Sequence, residues 1–553
     1  MNRQSIFVYP GIVLFAVLFF LPGLGSVNLF DWDEINFAES AREMIVTGDY
    51  ITVQINYAPF WEKPPLFFWM QVLSMKLFGI NAFAARFPNF ICGIVSLMML
   101  YYLGKRIYNH RFGVLWVLTY GAAILPFFYF KSGIIDPWFN LFIVMGLAWL
   151  VFYFDPAQKK KQALNVSLSA LFFGLAVLTK GPVAVLVLLF CLLIFLIIKR
   201  FRVPIRFAHA ALFAAVLIVV GGTWFLLQIL NGNISILKDF IEYQVRLFST
   251  GDAGHSGFFG YHFVVVFFGV FPASVLFLKS FTRKAENTEL QKLFRQWMLI
   301  MFWVVIILFS IVRTKILHYS SLTYFPMTFL AAWVWEKWID RKIEISRWQV
   351  ILILIIALMY AGVTIGIPVL ANNADWVIER NFSFLDPFTL GALTAQVHWS
   401  RFDWVVGLFL MVGVAYASIQ IIKRETKGML ILHIISVLFI SATLYIFTSR
   451  IEAYSQRAAI KFYESLKDED VYVNTLGFKS YAHLFYTEKM PPDNPESDNM
   501  DWLMSDELDK DAYFVIKVNK RDAYLERYPE LEVLYEKNGF VFTVRRAVEK
   551  NDQ

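Results

Sequence analysis

Long runs of apolar residues recur along most of the chain, separated by short polar segments. Because a bilayer core needs about 20 apolar residues per helix, thirteen of these runs are candidate membrane spans. They lie near residues 7–25, 84–104, 112–130, 136–154, 163–179, 182–198, 207–230, 259–279, 296–312, 318–338, 348–370, 403–422 and 429–447. The pattern predicts an all-α polytopic membrane protein.

One apolar stretch, 163–198, is interrupted by the sequence Thr-Lys-Gly-Pro at 179–182. A lysine at membrane depth is costly, and irregular backbone there is tolerated only where protein or a water-filled cavity surrounds it. The interruption therefore favours a re-entrant turn at Lys180 over one very long helix.

The pattern changes from about Ile451 onward, where the chain becomes charged. Short strand-like runs lie at 471–473, 513–518 and 540–544, and a helix-like segment at 453–466 precedes them. We predict a membrane domain over 1–450 and a small α/β domain over 451–553. No internal repeat is visible, which disfavours transporters built from repeated halves.

Composition agrees with a membrane protein, since 58% of the 553 residues are hydrophobic and only 17% are charged. Soluble domains carry about 25% charged residues. A net charge of +7 would suggest nucleic acid as a partner of a soluble protein. Here the basic residues form short clusters between apolar runs, so nucleic acid is disfavoured. Cys92 and Cys191 both lie inside apolar runs, which indicates neither a disulfide framework nor a thiolate zinc site.

Basic residues are unequally divided between the two sides of the predicted membrane domain. One side receives Arg3, Lys105, Arg106, Arg111, Lys159, Lys160, Lys161, Lys199, Arg200, Arg202 and Arg206, and the basic residues of 279–295, 337–347 and 423–427. The positive-inside rule makes this side cytoplasmic. An odd number of spans then predicts a cytoplasmic N-terminus and an extracytoplasmic C-terminal domain.

The first outer loop, at about 26–83, contains an unusual acidic segment. Residues 34–44 alternate polar and apolar positions at helical spacing, which predicts a helix lying in the membrane interface. Asp33 and Glu34 stand at the start of this helix. Two interpretations remain open for them, a cap that complements the helix dipole or a catalytic pair.

Lys63 follows in the same loop, beside Glu62 and before Pro64 and Pro65, which stiffen the backbone. A lysine at a membrane surface is commonly an anchor whose ammonium reaches the interface. A cation on a rigid loop also suits the phosphate of a lipid headgroup. Spacing does not separate these two interpretations.

Further polar residues gather on the same outer side of the membrane. They are Lys131, Asp136, Lys180, Glu242, Arg246, His255, Arg313, Thr314, Lys315, His318 and Tyr319. Each one singly fits a helix-end anchor. Because ionisable residues at membrane depth are costly and usually functional, their clustering on one side predicts a functional cavity.

The loop residues resemble a known family, the GT-C glycosyltransferases and specifically their ArnT-type members. The resemblance covers about residues 1–340. The matching loop residues are Asp33, Glu34, Ala38, Glu39, Arg42, Glu43, Met44, Gly48, Asp49, Glu62, Lys63, Pro64 and Pro65. Residues 83–88, 179–182, 314–315 and 318–319 also fit the family pattern.

The resemblance implies roles for the gathered residues. The candidate catalytic acids are Asp33, Glu34 and Asp136. The candidate residues for binding the phosphate and the donor are Lys63, Lys180, Arg246, Arg313, Lys315, His318 and Tyr319. Glu62 and His255 match positions where relatives hold a structural divalent metal, and no other cofactor is implied.

Two departures from the family pattern lie beside Asp33. Asn36 and Phe37 stand where the family has Arg-Tyr, which removes a charge and a hydroxyl group. The resemblance therefore indicates the class of reaction more firmly than the sugar.

The implied function is transfer of a sugar from a polyprenyl (undecaprenyl) phosphate donor to a lipid A-like or other cell-envelope acceptor. The reaction is expected to be inverting and to take place on the outer face of the plasma (inner) membrane. Two alternatives remain. One is an enzyme like the protein O-mannosyltransferases, although residues 62–65 favour the lipid-modifying branch. The other is a lipid or solute transporter, which would place its charges near the membrane midplane and show repeat symmetry.

Overall fold

The computed structural model describes residues 3–249, 257–281, 288–380, 385–505 and 508–547. Most of these residues are helical. The helices of the first half are α1 (Arg3–Phe19), α2 (Asp33–Thr47), α3 (Leu66–Phe78), α4 (Ala82–Ile107), α5 (His110–Gly121), α6 (Ile124–Tyr129), α7 (Asp136–Phe154), α8 (Gln162–Lys180), α9 (Val183–Ile198), α10 (Phe207–Gly221), α11 (Thr223–Leu230), α12 (Ile234–Ser249), α13 (Tyr261–Gly269) and α14 (Ala273–Phe277).

The second half of the chain completes the helical bundle and then enters the C-terminal domain. Its helices are α15 (Glu289–Ile311), α16 (Tyr324–Ile339), α17 (Arg347–Ala371), α18 (Ala374–Arg380), α19 (Pro387–Leu393), α20 (Val405–Ile422), α21 (Thr426–Ser455), α22 (Arg457–Ser465), α23 (Ala482–Tyr486), α24 (Met500–Leu503) and α25 (Arg521–Arg527). Short 3₁₀ helices cover Pro156–Lys161, Leu278–Phe281, Leu317–Thr323 and Val518–Lys520.

All thirteen predicted spans contain helix, but they differ in length. Within the described ranges, seven helices are long and apolar enough to cross a membrane, and two bent pairs raise the number to nine. The bent pairs are α10 with α11, at 53°, and α13 with α14, at 109°. Shorter helices occupy the other four predicted spans. The protein is therefore a multi-pass membrane protein with several broken or short helices, which hydropathy averaged over a window does not resolve.

The predicted interruption at Lys180 is confirmed as a sharp turn between α8 and α9. Gly181 has φ of +84°, a left-handed conformation that favours glycine. A Cβ atom on Gly181 would lie 2.7 Å from the ring of Phe240, so space also demands glycine here. The turn leaves Lys180 as the last residue of α8.

The predicted helix of the first outer loop is present as α2, and residues 34–44 are buried on every side, so protein covers its apolar face. Ion pairing makes its burial tolerable. Glu39 and Arg42 form a bidentate pair with both contacts at 2.7 Å. Glu43 accepts the backbone amides of Asn56 and Tyr57. Burial and the neighbouring Glu39 raise the pKa of Glu43 to about 8.

The start of α2 is held by a second buried ion pair, between Glu34 and Arg86. Arg86 lies in α4 and donates to both carboxylate oxygens of Glu34, at 2.9 and 2.7 Å. Its guanidinium also donates to the backbone carbonyls of Leu24, Val27 and Asn28. One arginine therefore fixes the whole segment that leads from α1 into α2.

The C-terminal domain is a four-stranded sheet with helices, as the sequence predicts. Its strands are β3 (Tyr472–Leu476), β4 (Ala512–Lys517), β5 (Glu532–Lys537) and β6 (Phe540–Arg545), after β1 (Gln54–Ile55) and β2 (Ala58–Pro59), which form a small hairpin in the first loop. The order is β3-β4-β6-β5, with β3 and β4 parallel and the other pairs antiparallel. Strand β5 was not predicted from the sequence, and all its positions are exposed. The domain boundary predicted after residue 450 falls inside α21.

This domain is bound to the first loop by several hydrogen bonds. The hydroxyl of Tyr486 accepts the amide of Leu29 at 2.8 Å, and the side chain of Gln456 donates to the Leu29 carbonyl at 2.7 Å. Arg42 donates to the carbonyl of Lys489 at 2.6 Å. The first loop therefore lies between the helical bundle and the C-terminal domain.

We expect Arg86→Leu to lower the free energy of unfolding by about 3–5 kcal/mol, because it leaves Glu34 buried without its counter-charge. Chemical denaturation of the purified protein in detergent measures the effect. The control is Arg521→Leu, which breaks a 2.9 Å pair with Glu536 whose partners are both more than 40% exposed. That change should cost less than about 1 kcal/mol. Equal losses in the two variants would contradict the role given to Arg86.

Candidate active site

A cavity of about 770 Å³ lies between the first loop, the helical bundle and the C-terminal domain. Its walls come from segments far apart in the sequence. The ionisable and hydroxyl side chains that line it are Asp31, Asp33, Glu34, Glu62, Lys63, Tyr129, Ser132, Asp136, Lys180, Tyr243, Arg246, Thr314, His318, Tyr319 and Lys479. The structure thus brings together nine of the twelve predicted site residues; Arg313 and Lys315 do not line the cavity, and His255 lies outside the described residues.

Two carboxylates meet at one imidazole in this cavity. His318 Nε2 lies 3.4 Å from Asp33 Oδ2 and 3.7 Å from Asp136 Oδ2. The Asp33 side chain is 31% exposed, whereas that of Asp136 is 5% exposed. Asp33 and Glu34 lie in the first turn of α2, where carboxylates complement the helix dipole, and no side-chain hydrogen bond caps this helix. Asp33 is therefore the carboxylate that a bound molecule can reach.

Asp136 is balanced by Lys180. It begins α7, and its Oδ1 accepts a hydrogen bond from Lys180 Nζ at 2.6 Å. The same ammonium lies 5.2 Å from the ring centroid of Tyr319. The turn at Gly181 and the start of α7 together place this pair beside His318.

Lys63 lies on the rigid segment that precedes α3. Its ammonium is 3.9 Å from Glu62 and 5.2 Å from the ring centroid of Tyr243. Burial lowers the pKa of Lys63, and the Glu62 carboxylate opposes that shift. A partly buried ammonium with this long contact to a carboxylate is suited to a second anion, since charge pairing is stronger where water is partly excluded.

Glu34 touches the cavity but does not have the properties of a catalytic acid, which corrects its predicted role. Both carboxylate oxygens are bound, by Arg86 and by the backbone amides of Phe30 and Gly133. Burial alone would raise its pKa, but Arg86 and these amides outweigh burial and hold the pKa below its usual range. Glu34 positions its neighbour Asp33.

Two residues that were predicted to bind phosphate, Lys315 and Arg313, do not line the cavity. Lys315 Nζ donates to the carbonyls of Phe309, Ser310 and Val312, so it satisfies the open C-terminal end of α15. Arg313 is exposed and does not line the cavity. The sequence could not show this, because a cation that caps a helix and one that binds a ligand look alike.

The predicted metal site stays a prediction. His255 lies outside the described residues. Glu62 accepts a hydrogen bond from the Tyr243 hydroxyl at 2.9 Å. Within the described ranges, no group of three or more His, Cys, Asp or Glu side chains could hold a metal ion, so Glu62 by itself does not define a site.

Tyr243, Trp32 and Lys479 are among the lining residues that the sequence did not single out. Tyr243 contacts both Glu62 and Lys63. Trp32 and Lys479 form a further wall, with the ammonium 4.7 Å from the ring centroid. No sequence spacing relates Lys479 to the first loop, because the C-terminal domain brings it there.

A narrow apolar extension of about 60 Å³ adjoins the cavity. It shares Lys63, Asp136, Lys180 and Tyr319 with the cavity. Its apolar walls come from Phe139, Val183, Val187, Phe309, Val312 and Leu322. The charged cavity is therefore bordered by apolar side chains next to Lys63 and Lys180.

Sequence comparison agrees with this architecture. Residues 62–224 match the family described as dolichyl-phosphate-mannose-protein mannosyltransferase. A relative from Pectobacterium atrosepticum, named undecaprenyl phosphate-alpha-4-amino-4-deoxy-L-arabinose arabinosyl transferase, is 24% identical over 76% of this chain and 72% of its own length. A relative of the same name from Pectobacterium carotovorum is 27% identical, with 61% of each chain covered.

Comparison of structures extends the likeness to the whole fold. The crystal structure of ArnT from Cupriavidus metallidurans bound to undecaprenyl phosphate superposes with a TM-score of 0.75. The superposition covers 100% of this chain and 99% of that one at 18% identity. The apo form of the same protein gives the same TM-score. The chain therefore shares the fold of ArnT over its whole length, and its sequence is similar to the arabinosyl transferases and, over residues 62–224, to the mannosyltransferase family.

Proposed function

We propose that this protein is a membrane glycosyltransferase that moves a sugar from a polyprenyl (undecaprenyl) phosphate to a lipid A-like or other cell-envelope lipid. The observation that carries the proposal is a cavity that contains a reachable carboxylate, Asp33, and a partly buried ammonium, Lys63, beside an apolar groove. The names of the relatives support the same donor, since they are arabinosyl transferases that use undecaprenyl phosphate.

In this proposal the donor phosphate lies at Lys63, and the prenyl chain enters the apolar groove. Lys180 and Arg246, which line the same cavity, add positive charge near the phosphate. The leaving group is a phosphate monoester, so protonation by a general acid contributes little. A fixed cation in a site shielded from water stabilises the charge that develops as the phosphate departs.

Asp33 acts on the acceptor from the opposite side of the sugar. It takes the proton of an acceptor hydroxyl, or orients the acceptor and stabilises the cationic sugar centre if the acceptor is a phosphate. His318 lies between Asp33 and Asp136 and keeps the two carboxylates apart. Single displacement inverts the anomeric configuration, and family resemblance is the basis of this step.

Phe37, one of the two departures from the family pattern, does not determine which sugar is transferred. Its side chain lines the cavity and packs edge-on against Phe67 and Phe68, at 6.1 and 5.7 Å between ring centroids. A phenyl group offers no hydrogen bond to a sugar, so the family's arabinose derivative is not specified by this wall. The proposal names a class of donor and leaves the sugar for experiment.

Transfer from radiolabelled polyprenyl-phosphate sugars to total membrane lipid tests the proposal. We expect label in a lipid with the wild type, and at least about a hundredfold loss of kcat with Asp33→Asn, the range of a removed general base. Lys63→Ala should abolish transfer at donor concentrations that saturate the wild type. The control is Lys76→Ala, which removes a lysine of α3 that binds the Tyr50 hydroxyl at 2.7 Å and does not line the cavity.

Each competing function gives a different result in this assay. A protein O-mannosyltransferase-like enzyme would put label into protein, and a transporter or flippase would move lipid without transfer. Full activity of Asp33→Asn or Lys63→Ala would overturn the assigned roles. A wild-type protein that transfers no sugar to lipid with any of the donors tested would overturn the proposed function.

We further propose that the protein lies in the plasma (inner) membrane, with the N-terminus inside and the C-terminal domain outside. The unequal distribution of basic residues supports this orientation. Both native cysteines, Cys92 and Cys191, are buried, so single introduced cysteines can report exposure. The 3₁₀ turn at Pro156–Lys161 and the C-terminal domain then lie on opposite sides.

Labelling with a membrane-impermeant maleimide on intact spheroplasts checks this orientation. Lys520→Cys, at an exposed position of the C-terminal domain, should react before lysis, and Lys160→Cys should react only afterwards. The wild type serves as the control, because its buried cysteines should stay unlabelled. The reverse order of labelling would contradict the proposed orientation.

A further inference from the structure

The C-terminal domain contributes a cation to the cavity. Lys479 lies in the loop between β3 and α23, and its ammonium is 4.7 Å from the ring centroid of Trp32 and 5.4 Å from that of Tyr481. Trp32 immediately precedes Asp33. Two aromatic faces hold an ammonium by attraction to their π-systems while leaving its N–H groups available. Lys479 therefore faces the cavity on the Trp32 side of Asp33.

The loop that carries Lys479 is fixed to the catalytic loop. The ring of Tyr481 packs 5.1 Å from that of Trp32, and the backbone amide of Asp31 donates to the side chain of Gln456 at 3.4 Å. The Tyr486 hydroxyl, in α23, accepts the Leu29 amide at 2.8 Å. Residues on both sides of Lys479 are thus tied to the segment that ends at Asp33. Such attachment gives the ammonium a defined position and lowers the entropy lost on binding.

The three lysines that line the cavity differ in their partners. Lys180 is paired with Asp136 at 2.6 Å, and Lys63 lies 3.9 Å from Glu62. Lys479 instead contacts the rings of Trp32 and Tyr481, and the described part of the chain contains no carboxylate within ion-pair distance of it. A sugar linked to a polyprenyl phosphate carries one phosphodiester charge, which Lys63 and its neighbours suffice to balance. A further cation in the same cavity suits a second anion.

We propose that Lys479 binds a phosphate group of the acceptor lipid, so that the C-terminal domain supplies a specificity-determining residue of the acceptor site. The inference rests on the proposed function, because it needs a donor phosphate at Lys63 and an acceptor that approaches Asp33. It gives the C-terminal domain a part in substrate selection in addition to covering the cavity.

Steady-state kinetics with two acceptors tests this assignment. The acceptors are lipid A with two phosphates and its monophosphoryl form, and the donor is a radiolabelled polyprenyl-phosphate sugar. We expect the wild type to have a lower acceptor KM for the bisphosphate form. Lys479→Ala should raise that KM about tenfold, the effect of losing a charged hydrogen bond, and should remove the preference between the two acceptors. Lys479→Arg should restore most of it.

The donor KM separates this role from a structural one, because it should stay within about twofold in Lys479→Ala if only the acceptor site changes. The matched control is Lys510→Ala, which removes a lysine of the same domain that also lies over an aromatic ring, 5.9 Å from the centroid of Tyr472, but does not line the cavity. It should leave both KM values unchanged.

Three results would overturn the assignment. They are an unchanged acceptor preference in Lys479→Ala, a donor KM that rises as much as the acceptor KM, and an equal effect of Lys510→Ala. In each of them the wild type still transfers sugar, so the proposed function stands. If the wild type transfers no sugar to either acceptor but labels another lipid, Lys479 is not a ligand of a lipid A phosphate. If the wild type labels no lipid at all, both the proposed function and the proposed acceptor site are wrong.

Discussion

The buried ion pair between Glu34 and Arg86 is the interaction on which the candidate active site depends. Two opposite charges taken out of water are tolerated only when geometry is good and the remaining hydrogen bonds are satisfied. Here Arg86 donates to both oxygens of Glu34 and to three backbone carbonyls. Two backbone amides also donate to the Glu34 carboxylate. The pair joins α4, the end of the first apolar helix and the start of α2. These bonds fix Glu34, and Glu34 in turn fixes the position of Asp33, which precedes it in the chain.

The other ionisable groups of the cavity divide by the same rule of pairing. Lys180 is matched with Asp136, and Lys315 is bound to the end of α15. Lys63 has only a 3.9 Å contact with a carboxylate. The lysine of the C-terminal domain is held by aromatic faces instead. Charges matched within the protein build the cavity, and those with weaker partners are available to substrates, which is how an enzyme at a membrane surface can receive two anionic lipids.

The sequence predicts the bundle and much of the site, and physical reasons explain the rest. Apolar runs report membrane helices directly, although windowed hydropathy hides the breaks in α10–α11 and α13–α14. Family spacing places Asp33, Lys63, Asp136 and His318 in one cavity. It cannot distinguish Glu34 or Lys315 as internally paired, since pairing depends on distant partners such as Arg86. The sequence does not predict Lys479 as a site residue, because only tertiary packing brings the C-terminal domain to the first loop.

Recognition of the phosphate of a polyprenyl lipid depends, in our proposal, on the partly buried cation of Lys63. Equilibrium binding of undecaprenyl phosphate and of undecaprenol to the purified protein in lipid nanodiscs tests it without turnover. The wild type should bind the phosphate much more tightly than the alcohol, and Lys63→Ala should bind the two with similar affinity. A Lys63→Ala protein that keeps the full preference for the phosphate would contradict the account.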